Sequence, residues 1–350
     1  MPFSVKTKDT SRNMGTDTGS EIRKEIFQTG PATFTETALK TFRFQWLHNK
    51  IYRSYCELLR VVPDNITNIK QIPFLPVQFF KTNQITTGEF DAALVFESSG
   101  TSGSVNAKHF VKEKGIYEES FLKCFRENYG DEKELCIIGL LPSYLERNNS
   151  SLVYMVQELI RSSGHERSGF YLDEYEKLQE VLLKNEQEQQ PTLLIGVTYA
   201  LIDFAEKHPM ELRHTIIMET GGMKGRREEL SRKEVHSILK TVFSIDKIHS
   251  EYGMTELLSQ AYSHGEGIFN TPSWMKILLR SEDDPFEIAD AADAVHTPLT
   301  GAVNIIDLAN LYSCCFIATD DMGKLYSHGS FEINGRLDNS DIRGCGLMLI

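Results

Sequence analysis

A segment rich in hydroxyl groups and glycine, SSGTSGSVNAK at residues 98–108, follows the apolar run ALVF at residues 93–96. Backbone N–H groups and hydroxyl donors without bulky side chains can surround phosphate oxygens, and Lys108 adds a positive charge for the same anion. The segment lacks the GxxxxGK[ST] pattern of a P-loop, and many Ser/Gly runs are surface loops that bind nothing. On its own it favours neither interpretation.

Two further segments carry residue types that could bind a nucleotide. ETGGMKG at residues 219–225 puts a glycine turn after an apolar run, and SEYGMTE follows at residues 250–256. Ligands of parallel sheets bind at the carboxyl ends of strands, so both segments could face one pocket. Tyr252 could stack on a base, Thr255 could contact a phosphate, and Glu256 could hold Mg²⁺, which prefers oxygen ligands. Taken singly, the tyrosine could be a core residue and Thr–Glu the start of a helix.

The segments ATDDMGKLY at residues 318–326 and NGRLDNSDIRG at residues 334–344 each put a carboxylate or an arginine in a glycine-marked turn between predicted strands. Acidic β-turns without a function have the same composition. All five segments in this order, however, favour one nucleotide site over five independent loops.

The five segments lie among apolar and amphipathic stretches that alternate along the sequence. This alternation predicts an α/β domain with a largely parallel sheet, followed after about residue 270 by a β-rich subdomain. The predicted strands are 93–96, 135–141, 192–197, 214–220, 274–280, 302–308, 314–319 and 323–327, and the predicted helices are 34–62, 113–128, 151–163, 174–183 and 232–243. Two prolines in the apolar run 72–80 predict an extended packing segment and exclude a central strand.

The amino-acid composition of the chain disfavours several classes of function. The 350 residues carry a net charge of −12, which disfavours nucleic-acid binding because phosphate backbones need a basic face. No apolar run is long enough for a membrane span, and the polar N-terminus does not read as a secretion signal. The six cysteines form no CxxC pair, which is typical of reduced thiols in the cytoplasm.

The five segments resemble motifs of the adenylate-forming superfamily, which includes acyl-CoA synthetases, luciferases and nonribosomal adenylation domains. They are similar, in order, to its phosphate loop, its glycine-rich adenine turn, its aromatic-Thr-Glu motif, its ribose-binding TGDxG and its hinge motif GRxDDxxKxRG. Within the superfamily, IPFLPVQFFKT, ETGGMKGRREELSR and EYGMTELLSQAY resemble segments of the LuxE-type acyl-protein synthetases. The resemblance runs from about residue 34 to the end.

The resemblance implies ATP and Mg²⁺ as cofactors and a role for each motif residue. Thr255 would orient the α-phosphate, Glu256 would hold Mg²⁺, and Lys108 would contact the β- and γ-phosphates. The other implied nucleotide contacts are Ser98, Ser99, Gly100, Thr101, Ser102 and Gly103 for phosphate, Gly221, Gly222, Met223, Tyr252 and Gly253 for adenine, and Asp321 and Arg336 for ribose.

The chain also departs from the superfamily pattern. Asp320 replaces the usual glycine of the ribose motif, and the hinge motif is one residue short. The chain stops at Ile350, so the mobile C-terminal domain with its lysine is expected to be absent, as in LuxE-type proteins. In that family the acyl group passes to a cysteine near the C-terminus. Cys345 lies close to that place, although it could instead be a small buried packing residue.

These features predict the large N-terminal α/β domain of an adenylate-forming enzyme, with layered α/β subdomains. The expected organisation is a loose tail over residues 1–30, an α/β core over 31–270 and a β-rich subdomain over 271–350. The expected activity is ATP-dependent activation of a carboxylic acid, expected to be a fatty acid, followed by acyl transfer to a protein cysteine thiol, in the cytoplasm. A reductase or an acyl-acceptor protein is the candidate partner. Two alternatives stay open: an acyl-CoA or aryl-CoA ligase, and a non-catalytic nucleotide-binding or assembly protein.

Overall fold

The structure is a computed structural model of the chain. It describes residues 19–98, 105–142, 149–172, 174–221 and 230–337. The α-helices in these ranges are α1 (Gly19–Ile26), α2 (Phe34–His48), α3 (Lys50–Leu58), α4 (Phe79–Thr82), α5 (Lys114–Tyr129), α6 (Ser151–Ser163), α7 (Tyr175–Gln187), α8 (Thr198–Lys207) and α9 (Arg232–Phe243). None of these described helices is both long and apolar enough to cross a bilayer.

Thirteen of the described strands form one sheet, and two form a separate hairpin. The strands are β1 (Leu75–Pro76), β2 (Leu94–Glu97), β3 (Lys108–Val111), β4 (Cys136–Leu140), β5 (Gly169–Phe170), β6 (Thr192–Gly196), β7 (Thr215–Glu219), β8 (His249–Tyr252), β9 (Ala261–Ser263), β10 (Phe269–Asn270), β11 (Met275–Arg280), β12 (Ile288–Ala289), β13 (Leu299–Asp307), β14 (Phe316–Leu325) and β15 (Phe331–Arg336). The order in the sheet is β12-β11-β13-β14-β15-β10-β9-β8-β7-β6-β4-β5, with β1 beside β14, and β2 pairs with β3.

The strand pairing changes from parallel to antiparallel across the width of the sheet. Strands β5, β4, β6, β7 and β8 are parallel, whereas the pairs from β8 to β12 are antiparallel. Every residue of β4 and β6 is buried, which is why their sequences are continuous apolar runs without alternation. The predicted parallel α/β region is therefore present, and antiparallel strands follow it.

Two predicted elements differ from the structure. The stretch predicted as one helix over 34–62 is divided at Asn49, whose side chain accepts a hydrogen bond from the Tyr52 N–H and caps α3. The predicted strands 314–319 and 323–327 are one strand, β14, so the predicted turn at 318–326 is wrong. Register shifts at β13 and β15 accommodate the irregular stretch without breaking the strand.

The N-terminal region predicted as a tail contains ordered structure. Residues 1–18 lie outside the described residues, but α1 buries Ile22 and Ile26 in the core. In the predicted packing segment 72–80, β1 pairs in parallel with β14 and α4 follows directly. The boundary between subdomains at residue 270 stays a prediction.

A buried polar network joins α2 to the segment that follows β13. The Gln45 side chain donates hydrogen bonds to the carbonyl oxygens of Asn310 (3.0 Å) and Leu311 (2.9 Å) and accepts one from the Cys315 N–H (2.9 Å). Asn49 donates to the Ser313 carbonyl oxygen at 2.8 Å. The segment connects β13 to β14 outside their paired residues, so these side chains satisfy backbone groups that no strand pairs.

We predict that Gln45→Ala lowers the free energy of unfolding by about 2–4 kcal/mol, because it leaves several buried backbone groups without partners. Chemical denaturation followed by circular dichroism measures this change. Gln187→Ala, at an exposed position near the end of α7, is the matched control and should change stability by less than about 0.5 kcal/mol. Equal effects of the two substitutions would contradict the role of Gln45.

Candidate active site

Lys108 begins the second strand of the β2–β3 hairpin, directly opposite Glu97. Its Nζ lies 3.2 Å from Glu97 Oε1, and the lysine side chain is half exposed. Ser98 closes the hairpin, since its Oγ accepts a hydrogen bond from the Ala107 N–H at 2.8 Å. The predicted phosphate loop therefore connects two paired strands, with Lys108 at its base. A phosphate bound there would compete with Glu97 for the lysine.

His109, the next residue, connects this hairpin to the SEYGMTE segment. Its Nδ1 lies 2.9 Å from the Thr255 carbonyl oxygen and its Nε2 lies 2.8 Å from Ser313 Oγ. A carbonyl can only accept, so Nδ1 carries the proton and Nε2 accepts from the hydroxyl. Burial lowers the pKa of His109 to about 4, so the ring is neutral at physiological pH. The neutral His109 ring therefore links the Thr255 backbone to strand β3, which also carries Lys108.

The residues after Thr255 are held by two side chains at the end of β13. Asp307 accepts hydrogen bonds from the backbone N–H groups of Leu258 and Ser259, both at 2.9 Å. Asn310 donates to the Glu256 carbonyl oxygen at 2.8 Å. Burial raises the pKa of Asp307 to about 6, although the hydrogen bonds that it accepts oppose this increase. These hydrogen bonds therefore fix the backbone of the loop that carries Thr255 and Glu256.

Tyr252, Asp321 and Arg336, which come from three separate motifs, meet in the structure. The Tyr252 hydroxyl donates to Asp321 Oδ2 at 2.8 Å, and Arg336 Nε lies 3.6 Å from Asp321 Oδ1. Asp321 and Arg336 are directly opposite each other in the β14–β15 register. The Tyr252 ring is buried and packs against Phe269 and Phe331.

Asp320, which replaces the glycine of the ribose motif, also contacts this cluster. Its Oδ2 lies 3.0 Å from Arg336 Nη2, its Oδ1 accepts from the Gln78 amide, and its carbonyl oxygen accepts from the Leu337 N–H at 2.8 Å. The aspartate therefore orients Arg336 and leaves the Asp321 carboxylate beside Tyr252.

The predicted adenine turn starts at a second buried carboxylate. Gly221 has a φ of 71°, a conformation that favours glycine, and its N–H donates to Glu219 Oε2 at 2.8 Å. Arg232 Nε and His236 Nε2 lie 3.5 and 3.6 Å from Glu219 Oε1. Burial would raise the pKa of Glu219, but contact with His236 and the charge of Arg232 outweigh it and hold the pKa at about 2. Glu219 is therefore ionised and fixes the start of the turn.

Several predicted site residues lie outside the described residues: Ser99, Gly100, Thr101, Ser102, Gly103, Gly222, Met223 and Cys345. The five described cysteines are free and buried, and burial raises the pKa of each of their thiols. No group of three or more His, Cys, Asp or Glu side chains in the described ranges could form a metal site.

Sequence reasoning missed several polar residues that position the site. Glu97 and Glu219 directly precede glycine-containing segments, so a carboxylate before a glycine loop was an available signal. Asp307 lies 49 residues after Leu258, and Asn310 lies 54 residues after Glu256. His109 contacts Thr255 only through tertiary structure. Gln78, whose amide donates to Asp320, is another missed residue.

A family model described as acyl-protein synthetase, LuxE, matches residues 28–350. The chain belongs to this family. A long-chain-fatty-acid–luciferin-component ligase of Aliivibrio fischeri is 25% identical over 364 aligned residues, covering 94% of this chain and 93% of the relative. A ligase of the same name from Photorhabdus luminescens is 36% identical over 94 residues, covering 24% of this chain and 80% of the relative.

Solved structures of adenylate-forming enzymes share the fold of this LuxE-family chain. A 2-hydroxyisobutyryl-CoA ligase in the postadenylation state, in complex with R3-HIB-AMP, matches with a TM-score of 0.59 and 12% identity, over 97% of this chain and 75% of the ligase. ATP-bound MatB from Rhodopseudomonas palustris matches with a TM-score of 0.53 and 14% identity, over 71% of this chain. The matched part is 49% of MatB, so the similarity spans about half of that structure.

These findings confirm the predicted family and the predicted fold class. As a member of a family of acyl-protein synthetases, the chain is a ligase that activates an acid and transfers the acyl group. The roles of individual residues stay predictions.

Glu219 provides a test of the electrostatics of the turn. Because its pKa is lowered from 4.5 to about 2 in the folded protein, its ionised form stabilises the fold above pH 4.5. This stabilisation decreases as the pH falls from 4.5 towards 2. We expect Glu219→Gln to lower the free energy of unfolding by about 3 kcal/mol at pH 7 and by much less near pH 3.

Urea denaturation over this pH range, with the exposed substitution Glu211→Gln as control, measures the difference. A cost of Glu219→Gln that does not change with pH would show that Arg232 and His236 do not stabilise the ionised carboxylate.

Proposed function

We propose that this LuxE-family protein uses ATP to convert a carboxylic acid into an acyl-adenylate and then transfers the acyl group to a protein thiol. The observation that carries the proposal is the contact of Tyr252 with Asp321, 69 residues further along the chain, beside Arg336; each of the three comes from a different motif. A carboxylate beside a phenol and a guanidinium supplies acceptors and donors for ribose hydroxyls, and the buried tyrosine would border the adenine.

The phosphates would lie towards Lys108, Thr255 and the Ser/Gly segment. The Glu256 side chain is buried, and a single carboxylate fits Mg²⁺, which takes its remaining ligands from phosphate oxygens and water. When bound, Mg²⁺ would neutralise charge on the phosphates. Lys108 would bind the β- and γ-phosphates in place of Glu97, and Thr255 would orient the α-phosphate for attack by the acid.

Cys345 is the proposed acyl acceptor. The thiolate is the nucleophile in thioester formation, and burial disfavours the thiolate form of all five described cysteines. Cys314 and Cys315 are completely buried, so neither can reach an adenylate without rearrangement. In the proposed step the Cys345 sulfur attacks the acyl carbon, a thioester forms, and AMP leaves with the carboxyl oxygen that was bound to phosphorus.

The names of the two relatives include a long-chain fatty acid and a luciferin component, which supports a long-chain fatty acid as the substrate. A reductase or another acyl-acceptor protein is the proposed partner. We also propose a cytoplasmic location, because the described cysteines are free thiols. A CoA ligase activity would give the same adenylate but release the acyl group on coenzyme A. A non-catalytic nucleotide-binding protein would bind ATP without forming an adenylate.

Acid-dependent ATP–pyrophosphate exchange tests the first half-reaction. With Mg²⁺ and a suitable fatty acid the protein should exchange pyrophosphate into ATP. Lys108→Ala should reduce the rate on the order of 10²-fold, because it removes one preorganised charge from the phosphate site. Glu256→Gln should raise the Mg²⁺ concentration needed for exchange. Lys114→Ala, an exposed lysine on α5, is the matched control and should leave exchange unchanged.

Absence of exchange across a broad panel of acids would exclude the proposed activity. Binding of ATP without exchange, measured by calorimetry, would favour the non-catalytic alternative. Full exchange activity in both variants would show that the phosphate site lies elsewhere.

Labelling with a radioactive fatty acid tests the second half-reaction. The label should bind to the protein only in the presence of ATP and should be released by neutral hydroxylamine, which cleaves thioesters. Cys345→Ser should abolish stable labelling and leave ATP–pyrophosphate exchange intact, since the adenylate forms before the thiol acts. Label retained in Cys345→Ser but lost in a Cys314 or Cys315 variant would move the acceptor to that residue. Label found only on coenzyme A would support a CoA ligase.

A further inference from the structure

A cavity of about 780 Å³ lies between the antiparallel strands β11–β14 and the segments that precede β2, and we name it the Asn304 cavity. Its volume is within the range of about 300–1,000 Å³ that is usual for small-molecule sites. Arg280 pairs with Ile288 across β11 and β12, and Asn304 pairs with Ala318 across β13 and β14. All four side chains line the cavity, so this face of the sheet forms one wall. Among the described residues, β8 contributes none to the lining.

The other wall of the cavity is mainly apolar. Ile72 and Phe74 are almost completely buried there, whereas Phe286 lines the cavity with 64% of its surface exposed. The cavity therefore opens to solvent at Phe286. An open mouth and an apolar wall suit a ligand with a long hydrocarbon chain, because burial of the chain removes apolar surface from water. The apolar side chains of this wall also include Leu59, Val61 and Pro76.

Asn304 carries an unused hydrogen-bond donor on the sheet wall. The side chain is completely buried, and its Oδ1 accepts a hydrogen bond from Arg280 Nη1 at 2.7 Å. A guanidinium only donates, so this contact fixes which amide atom is the oxygen. Asn304 Nδ2 has no hydrogen-bond partner among the described residues. Because buried polar groups are almost always paired, the unpaired amide N–H groups indicate a ligand that supplies an acceptor.

Arg280 adds a positive charge to the same end of the cavity. Its Nη1 and Nη2 also donate to the carbonyl oxygens of Val303 (3.0 Å) and Thr319 (2.5 Å), beside the register shift between β13 and β14. These bonds explain the burial of the guanidinium but leave the amide donor beside it unpaired. In the described part of the chain no carboxylate forms an ion pair with Arg280, and the nearby Asp320 pairs with Arg336 instead. The ligand group that fits here is therefore an oxygen acceptor, such as a carbonyl or a carboxylate.

The Asn304 cavity shares Asp320 with the nucleotide cluster. Asp320 lines the cavity and lies 3.0 Å from Arg336, and its carbonyl oxygen accepts a hydrogen bond from the Leu337 N–H. Cys345 follows eight residues later, and eight extended residues span at most about 29 Å. An acyl group on the proposed acceptor cysteine is therefore within reach of the cavity.

We propose that the Asn304 cavity binds a long-chain acyl group, with the alkyl chain along the apolar wall and the carbonyl oxygen on Asn304 Nδ2 and Arg280. The ligand is either the free fatty acid or its thioester on the protein, because both present the same chain and a carbonyl oxygen. This inference rests on the proposed function, which uses the first form and makes the second. Binding of the thioester there would shield its alkyl chain from water after AMP has left.

Photo-crosslinking of the full chain with a dodecanoate that carries a diazirine in its alkyl chain tests this inference. Mass spectrometry of the peptides should locate the crosslinks in residues 55–61, 72–76 and 285–288, and an excess of unlabelled dodecanoate should prevent them. If the free acid is the ligand, the crosslinks form without ATP and persist in Cys345→Ser. If the thioester is the ligand, they require ATP and disappear in Cys345→Ser.

Two substitutions in the cavity complete the test. Asn304→Asp keeps the acceptor for Arg280 but replaces the amide donor by a negative charge, so it should lower the crosslink yield in these residues about tenfold or more. Ile288→Trp should have the same effect by filling the cavity, and it decides the test if circular dichroism shows that Asn304→Asp does not fold. Asn270→Asp, at an exposed position on β10, is the matched control and should crosslink as the wild type.

Crosslinks that avoid these residues with and without ATP, that unlabelled dodecanoate does not prevent, or that persist at full yield in both cavity variants would overturn the inference. Its failure is distinguishable from failure of the proposed function. Crosslinks in these residues without ATP, in a protein that shows no ATP–pyrophosphate exchange, would refute the proposed function and support the cavity. Exchange activity without these crosslinks would refute the cavity alone.

Discussion

The structure depends on one buried polar clamp, the hydrogen bonds of Asp307 and Asn310 to the backbone of residues 256–259. This backbone leaves β8 and must return to β9 after presenting Thr255 and Glu256, so its N–H and C=O groups lack strand partners. Burying them without compensation would cost several kcal/mol. The hydrogen bonds of Asp307 and Asn310 offset this cost. Gln45 and Asn49 in turn donate hydrogen bonds to the segment that carries Asn310.

This arrangement holds residues from distant segments in one hydrogen-bonded framework. His109 reaches the clamped loop through the Thr255 carbonyl and reaches the Gln45–Asn49 network through Ser313. Lys108, one residue earlier, is therefore tied to the same framework as Thr255. Because the hydrogen bonds are buried and directional, they fix relative positions more tightly than apolar packing alone.

Strand β8 separates two chemical environments. On one face, Tyr252 joins Asp321 and Arg336, where charges are paired and hydrogen-bonded. On the other face, Glu251 lies among tyrosines and a cysteine, where burial raises its pKa to about 8. Tyr252 and Glu251 are neighbours in sequence, but their side chains lie on opposite faces of the strand. Tyr252 therefore faces paired charges, whereas the Glu251 carboxyl faces surroundings that raise its pKa.

The sequence by itself determined the family and the α/β fold class, because motif residues and buried parallel strands leave local patterns. Tertiary structure alone decided the partners: Glu97 with Lys108, Asp320 with Arg336, and Asp307 with the loop after Thr255. Tertiary structure also merged two predicted strands into β14, since pairing on both sides overrides the turn propensity of Asp and Gly. Hydrogen-bond partners and pKa values depend on groups brought together from distant positions, and no local pattern encodes that proximity.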